Sequence, residues 1–341
     1  MLMMASSFYK NVAYWLFFVT ILVIIMIVVG GATRLTNSGL SITEWKPIKG
    51  ALPPISAQDW ALEFEKYKQI PEFEAEHPDM DLAGFKFIYF WEWIHRQLGR
   101  IIGLAYALPL IWFSLKKTLK PGYFLSYITI FFLIGLQGLM GWWMVSSGLV
   151  NDRVDVSQYR LAAHLGMAFI ILGLLYNLWL SHAEKWQPKG YKPVLVKRSL
   201  VLFVLVFLQI IAGAFVAGTH SGKSYNTWPA MDGGFVPNGY SVMSPSWKNL
   251  FENTAAIQFN HRVLAYAILA LTLILLISAF RKNALKGPVT VFAILILWQS
   301  ILGIWTLLAI APLSLSLLHQ FSSIIVFLSA LWLFRSARRG Y

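Results

Sequence analysis

Apolar residues gather in eight runs along the chain, at roughly 12–30, 93–115, 122–146, 160–181, 199–217, 258–280, 288–310 and 313–334. A bilayer core takes about 20 apolar residues per helix, so the pattern predicts eight membrane-spanning helices and an all-α integral membrane protein. The first run exceeds the roughly 7–15 apolar residues of a signal peptide, so it is read as retained. Most polar connections are short. Two are long: 31–91 and about 218–257. In the first, ISAQDWALEFEKYKQI predicts a helix that starts at Ser56, with Asp59 completing an S-x-x-D cap. Trp60, Leu62, Phe64 and Tyr67 would let that helix rest on the membrane surface. The second connection, rich in Gly, Pro, Ser and Asn, predicts irregular chain.

Charge orients this pattern. Only 13% of residues are charged against 57% hydrophobic, yet the net charge is +13. Lys116, Lys117 and Lys120, then Lys185 to Arg198, then Arg281, Lys282 and Lys286, and finally Arg335, Arg338 and Arg339 all fall at one end of the runs. The short connections at the other end carry little: Arg153 stands against Asp152 and Asp155. By the positive-inside rule both termini are cytoplasmic and the long connections lie outside. The basic balance is therefore topology, and membrane lipid rather than nucleic acid is the expected surrounding. No Arg- and Ser-rich presequence precedes the first run, which favours a bacterial inner membrane. The absence of cysteine excludes disulfides, thiolate-ligated haem and cysteine-held iron–sulfur clusters. Bound iron would need His, Met or Tyr.

The two halves repeat in register. TNSGLSITEWKPIKGALPP from Thr36 matches THSGKSYNTWPAMDGGFVP from Thr219 at a constant offset of 183. His95-Arg96 matches His261-Arg262 at 166; Gln137, Gly141 and Trp143 match Gln299, Gly303 and Trp305 at 162; His164 matches His319 at 155. Each copy holds an even number of spans, so both have the same orientation. The expected architecture is two pseudo-symmetric four-helix bundles, 1–185 and 186–341.

Of seven histidines, His77 and His220 fall in outer connections and His182 at an inner helix end, where loop or interface roles suffice. His95, His164, His261 and His319 fall one each in the second, fourth, sixth and eighth spans. All four are expected in the first turn or two of those helices, near the outer face, two per bundle. A single intramembrane histidine needs no more than a hydrogen bond to a neighbouring helix, worth about 1 kcal/mol. Four, paired by the repeat, point to function. Two imidazoles per bundle make a poor closed zinc site, whereas haem supplies four equatorial nitrogens and needs only axial ligands. Arg96 and Arg262 follow directly after a histidine, where they either pair with haem propionates or snorkel to the interface. Glu92 stands three residues before His95, on the same helical face. Its repeat partner is Gln258. A carboxylate costs free energy at a membrane edge, so its presence in one half only suggests that the first bundle reacts and the second holds a haem for structure or electron transfer. An interface glutamate paired with Arg96 or Arg100 is the plainer explanation. Without chemistry on the porphyrin, the same histidines would suit a diheme electron-transfer cytochrome b. A two-repeat transporter would instead place polar groups at mid-membrane.

GGATRLTNSGLSITEWKPIKGALPP (30–54), EWIHRQLGR (92–100), QGLMGWWMVSSGL (137–149) and the repeated histidines closely resemble the haem A synthase family, over essentially the whole chain. The resemblance implies an oxidoreductase that converts a methyl group of haem O, through an alcohol, to the formyl group of haem A, a cofactor of cytochrome oxidases. It implies that His95 and His164 ligate the substrate haem O, that Glu92 lies near the reacting methyl, and that His261 and His319 ligate a resident haem b. Haem O synthase, electron-transfer proteins and a second copy of the chain are the protein partners compatible with it. Some members carry a cysteine pair in the outer loops of the first half; this chain resembles the cysteine-free branch.

Overall fold

The computed structural model describes residues 2–46, 49–150, 153–183 and 192–339. The long helices are α1 (Leu2–Leu35), α4 (Leu82–Leu115), α5 (Phe124–Val145), α6 (Gln158–Ala183), α7 (Pro193–Gly218), α8 (Thr254–Arg281), α9 (Lys286–Leu308) and α10 (Leu313–Arg339); two short ones, α2 (Ala57–Tyr67) and α3 (Pro71–Glu76), lie between α1 and α4. Among the described residues eight helices are long and apolar enough to cross a membrane, counting α1 from Lys10. The chain divides into two compact units, Met1–Ala183 and Glu184–Tyr341. In the first, α1 packs on α4 and α6, and α5 packs on the same two; in the second, α7 packs on α8 and α10, and α9 on the same two. Each unit is thus a closed ring of four helices with the same order of neighbours.

The repeated T-x-S-G-x-S sequence ends a helix in the same way twice. Asn37 after α1 and His220 after α7 take left-handed backbone, with φ of 49° and 53°, the conformation that closes a helix C-terminus. The Thr36 hydroxyl meets that of Ser38 at 2.7 Å, and Thr219 meets Ser221 likewise. The Ser38 main-chain N–H returns to Thr33 O at 2.9 Å. These turns fold the following chain back over the helix end, towards α4 in the first unit and α8 in the second.

The outer connection of the first unit differs from expectation in two respects. The helix at Ser56 does start with a reciprocal cap: the Asp59 N–H donates to Ser56 Oγ at 3.0 Å, and the Ser56 N–H donates to Asp59 Oδ2 at 3.1 Å. Its apolar side, however, does not lie on the membrane. Trp60, Phe64 and Tyr67 are buried against Phe85, Ile88 and Tyr89 of α4, while Leu62 is exposed. The second difference explains the first. The structure starts α4 at Leu82, eleven residues before the apolar run at 93, with Asp81 accepting the Gly84 N–H at 2.8 Å. A helix of 34 residues is about 50 Å long, well beyond a hydrocarbon core of about 30 Å. The projecting turns are covered by α2 and α3, which supply the apolar contacts lipid would have supplied. The outer connection of the second unit is irregular as expected. Asn249 holds it together, accepting the N–H groups of Val242 and Met243 at 3.1 Å and donating to Met243 O at 3.1 Å.

Candidate functional site

Each of the four intramembrane histidines rests on a glycine of the preceding long helix. A Cβ added at Gly30 on α1 would lie 2.9 Å from His95 Cε1, and one at Gly141 on α5 would lie 3.1 Å from His164 Cε1. In the second unit the distances are 3.4 Å from Gly213 on α7 to His261 and 2.9 Å from Gly303 on α9 to His319. At Gly30, Gly141 and Gly303 the imidazole lies closer to the neighbouring backbone than a side chain there would ordinarily allow, whereas at Gly213 the distance is that of ordinary contact. His164, His261 and His319 fall in the second turn of their helices, as expected. His95 does not: because α4 starts at Leu82, it falls in the fourth turn. Within each unit the two imidazoles lie within electrostatic reach of one another.

Three seats carry a second element, which the sequence reading missed. Gln137, Gln209 and Gln299 each stand four residues, one helical turn, before the seat glycine. Their side-chain amides donate to the main-chain carbonyls of His164 (3.0 Å), His261 (3.0 Å) and His319 (3.1 Å). The same amide nitrogens reach the imidazoles, at 3.1 Å from His261 Nε2 and 3.2 Å from His319 Nδ1. The available signal was Gln-x-x-x-Gly on α5, α7 and α9. Its partners lie on another helix, so register alone shows the motif and not what it touches.

Glu92, one turn before His95 on α4, is 3% exposed. Its Oε2 accepts from Ser41 Oγ at 2.8 Å and from the Ile42 N–H at 2.7 Å. Its Oε1 accepts from Arg96 Nη2 at 2.6 Å and Nε at 3.0 Å. Arg96 also donates to Ile42 O at 2.8 Å and Glu44 O at 3.0 Å. Together the pair fastens segment 41–44 to α4. Gln258 in the second unit is equally buried, at 3%, and also fastens the outer chain, with no charge and through a partly different set of bonds. Its carbonyl accepts from Arg262 Nη2 at 2.7 Å and its amide donates to Ser221 O at 2.7 Å, while Arg262 holds Tyr225 O and Thr227 O, both at 2.9 Å. The arginine pairing that would explain Glu92 as an interface residue is therefore present. Its neutral counterpart fastens the second unit's loop without a carboxylate, but with a donor where Glu92 offers an acceptor to Ser41 and Ile42.

The residues fit a haem in each unit. The Nδ1 atoms of His95 and His164, the Oε1 atoms of Gln137, Gln209 and Gln299, and Arg262 Nε are all buried without a hydrogen-bond partner. A folded interior keeps few such atoms, and these six belong to the histidines, to the glutamines that contact them or to the arginine next to His261. Among the described residues no group of three or more His, Asp or Glu could hold a metal ion, so a zinc site closed by four protein ligands has no ligand set there. Two imidazoles per unit, by contrast, satisfy the axial demand of a porphyrin iron.

The other histidines lie apart from these pairs. His182 Nε2 meets the Tyr127 hydroxyl at 2.7 Å, and His220 forms the turn after α7. His77 Nδ1 meets the Tyr67 hydroxyl at 2.7 Å in the outer cap, where Tyr67 also donates to Glu72 at 3.2 Å. Burial pushes the Glu72 carboxyl up to about 8, with the negative charge of Glu92 adding to the effect and the Tyr67 hydrogen bond opposing it.

Residues 13–331 match a family described as cytochrome oxidase assembly protein. The chain is 46% identical over 327 residues to the heme A synthase of Beijerinckia indica, covering 93% of this chain and 90% of that one. It is 47% identical over 329 residues to the heme A synthase of Azorhizobium caulinodans, covering 94% and 93%. With the heme A synthase of Maricaulis maris it shares 46% identity over 339 residues, 98% of each chain.

Proposed function

Since the chain belongs to the haem A synthase family of cytochrome oxidase assembly proteins, we propose that it is a membrane enzyme that oxidises one methyl group of haem O, through an alcohol, to the formyl group of haem A. In this reading the first unit binds the substrate between His95 and His164. The second holds a haem b between His261 and His319, which when bound supplies one-electron chemistry. The glycine seats let each imidazole lie against its helix, and the cap formed by α2, α3 and the start of α4 restricts water at the outer end. The apolar helices and the distribution of lysine and arginine favour an inner-membrane location with both termini cytoplasmic.

The observation that carries the assignment of chemistry to the first unit is the pair Glu92 and Gln258. Both pair with an arginine one turn on and hold the outer chain; the carboxylate adds a charge and a second acceptor oxygen, which takes Ser41 Oγ and the Ile42 N–H. Burying that charge costs more than burying an amide. Although paired with Arg96, the carboxylate one turn from His95 acts at short range, stabilising positive charge developing at the substrate methyl or accepting a proton released on oxidation. Arg262, with no carboxylate beside it and Nε buried without a partner, is the better placed of the two arginines to meet a propionate. Arg96, already bonded to Glu92 and two carbonyls, holds the loop and contributes at most its remaining N–H groups.

Glu92→Gln tests this, since the amide oxygen can keep the Arg96 bond as Gln258 keeps that of Arg262, while the bonds from Ser41 and Ile42 to the second oxygen are lost. In membranes supplied with haem O, the variant is expected to accumulate, to bind haem in both units and to lose conversion to the alcohol and aldehyde by a hundredfold or more, on the order of 3 kcal/mol of lost transition-state stabilisation. Full conversion by Glu92→Gln would remove Glu92 from the chemistry. A wild-type protein that binds two haems but yields no hydroxylated or formylated product would instead be an electron-transfer cytochrome.

A further inference from the structure

The four histidine seats are alike except in one position. The offset of 183 that relates Gly213 to Gly30 also relates Gln209 to Met26. Three seats therefore hold the histidine with a glutamine amide, and the seat of His95 has a thioether. Met26 lies along α4, with its Cε 3.3 Å from where a Cβ on Gly99 would be. A glutamine side chain brings two N–H donors and a carbonyl acceptor, whereas a thioether brings no donor and accepts only weakly. His95 therefore lacks the kind of amide that reaches the imidazoles of His261 and His319. The other histidine of the same unit, His164, keeps its glutamine.

We propose that the glutamines are latches that fix the ligand histidines, and that Met26 leaves His95 unlatched so that it releases the substrate. The proposal rests on the reading of the first unit as the substrate site. A turning-over site must admit haem O and discharge haem A, so at least one ligand has to let go readily. A resident cofactor has no such need, and in the second unit both seats carry the amide. Gln137, Gln209 and Gln299 are positioning residues on this view: they act through the histidines and need not touch the porphyrin.

The test measures haem loss separately from turnover. Full-length protein loaded with haem O is mixed with excess apomyoglobin as a haem acceptor, and the haem O and haem b remaining are quantified by extraction and chromatography. Wild type should lose haem O faster than haem b. Met26→Gln should slow the loss of haem O about fivefold, the scale of one net hydrogen bond, and leave haem b unchanged. Met26→Leu should behave as wild type, and Gln209→Met should speed the loss of haem b alone. Wild-type rates in both Met26→Gln and Gln209→Met would overturn the proposal. Should Met26→Gln fail to accumulate, Gln137→Met decides in its place: faster loss of haem O supports the latch, and an unchanged rate refutes it. A wild-type protein that takes up no haem O would refute the substrate-site reading itself, whereas haem O uptake with unmoved rates refutes only the latch.

Discussion

A methyl group is enough to disturb the arrangement at the residue scale. The seats differ in clearance: 2.9 Å at Gly303 and 3.4 Å at Gly213. The shorter distance lies below carbon–carbon contact, so a Cβ there displaces the ring; the longer one is ordinary packing. Gly303→Ala should therefore move the His319 imidazole and cost the purified protein most of its haem b, while Gly213→Ala retains it. Haem b per polypeptide, read with the reduced absorption spectrum, distinguishes the two, and equal retention would contradict the seating. The histidines themselves were legible in the sequence because the repeat keeps them in register, and so was the contrast between Glu92 and Gln258. The purpose of Gly30, Gly141, Gly213 and Gly303 was not. A glycine becomes a seat only when another helix brings an imidazole against it, and that contact is absent from any single stretch of chain.

At the scale of elements, α4 is the helix whose limits the sequence obscured. Phe85, Ile88 and Tyr89 lie outside the long apolar run, and their partners are Trp60, Phe64 and Tyr67 some twenty residues earlier. Tertiary packing extends the helix outward, and this moves His95 to its fourth turn. The cap so formed contains a pH-sensitive weak point. Burial holds the Glu72 carboxyl at about 8, far above the ordinary 4.5. A carboxyl raised on folding is accommodated while protonated, so its contribution to stability is complete below about pH 4.5 and is lost as the pH rises to about 8. Opening of α2 and α3 should become easier across that window, by a few kcal/mol at most. Amide protection factors in residues 57–67 should fall with pH in wild type and remain nearly flat in Glu72→Gln. A wild-type profile as flat as that of the variant would show that Glu72 does not govern the cap.

On the scale of the molecule, duplication supplies the comparison from which the functional reading is drawn. Both units close a ring of four helices, both end their first helix in a left-handed turn, and both fasten an outer loop with an arginine one turn below a buried residue. With so much held in common, the differences stand out: Gln258 for Glu92 and Gln209 for Met26. One of them has an electrical consequence. Glu92 and Arg96 form an ion pair at 2.6 Å, which sums to no charge, whereas Gln258 brings no charge to Arg262, so that with equal propionates in each unit the surroundings of His261 are one charge more positive than those of His95. Of two similar irons, the one nearer an unbalanced positive charge holds an added electron more tightly. The centre at His261 and His319 should therefore have the higher midpoint potential in a redox titration of the loaded protein, and Arg262→Gln should lower it; the reverse order would mean that other charges dominate. The loss of one carboxylate between the two copies would then set the downhill direction for electrons taken from the substrate.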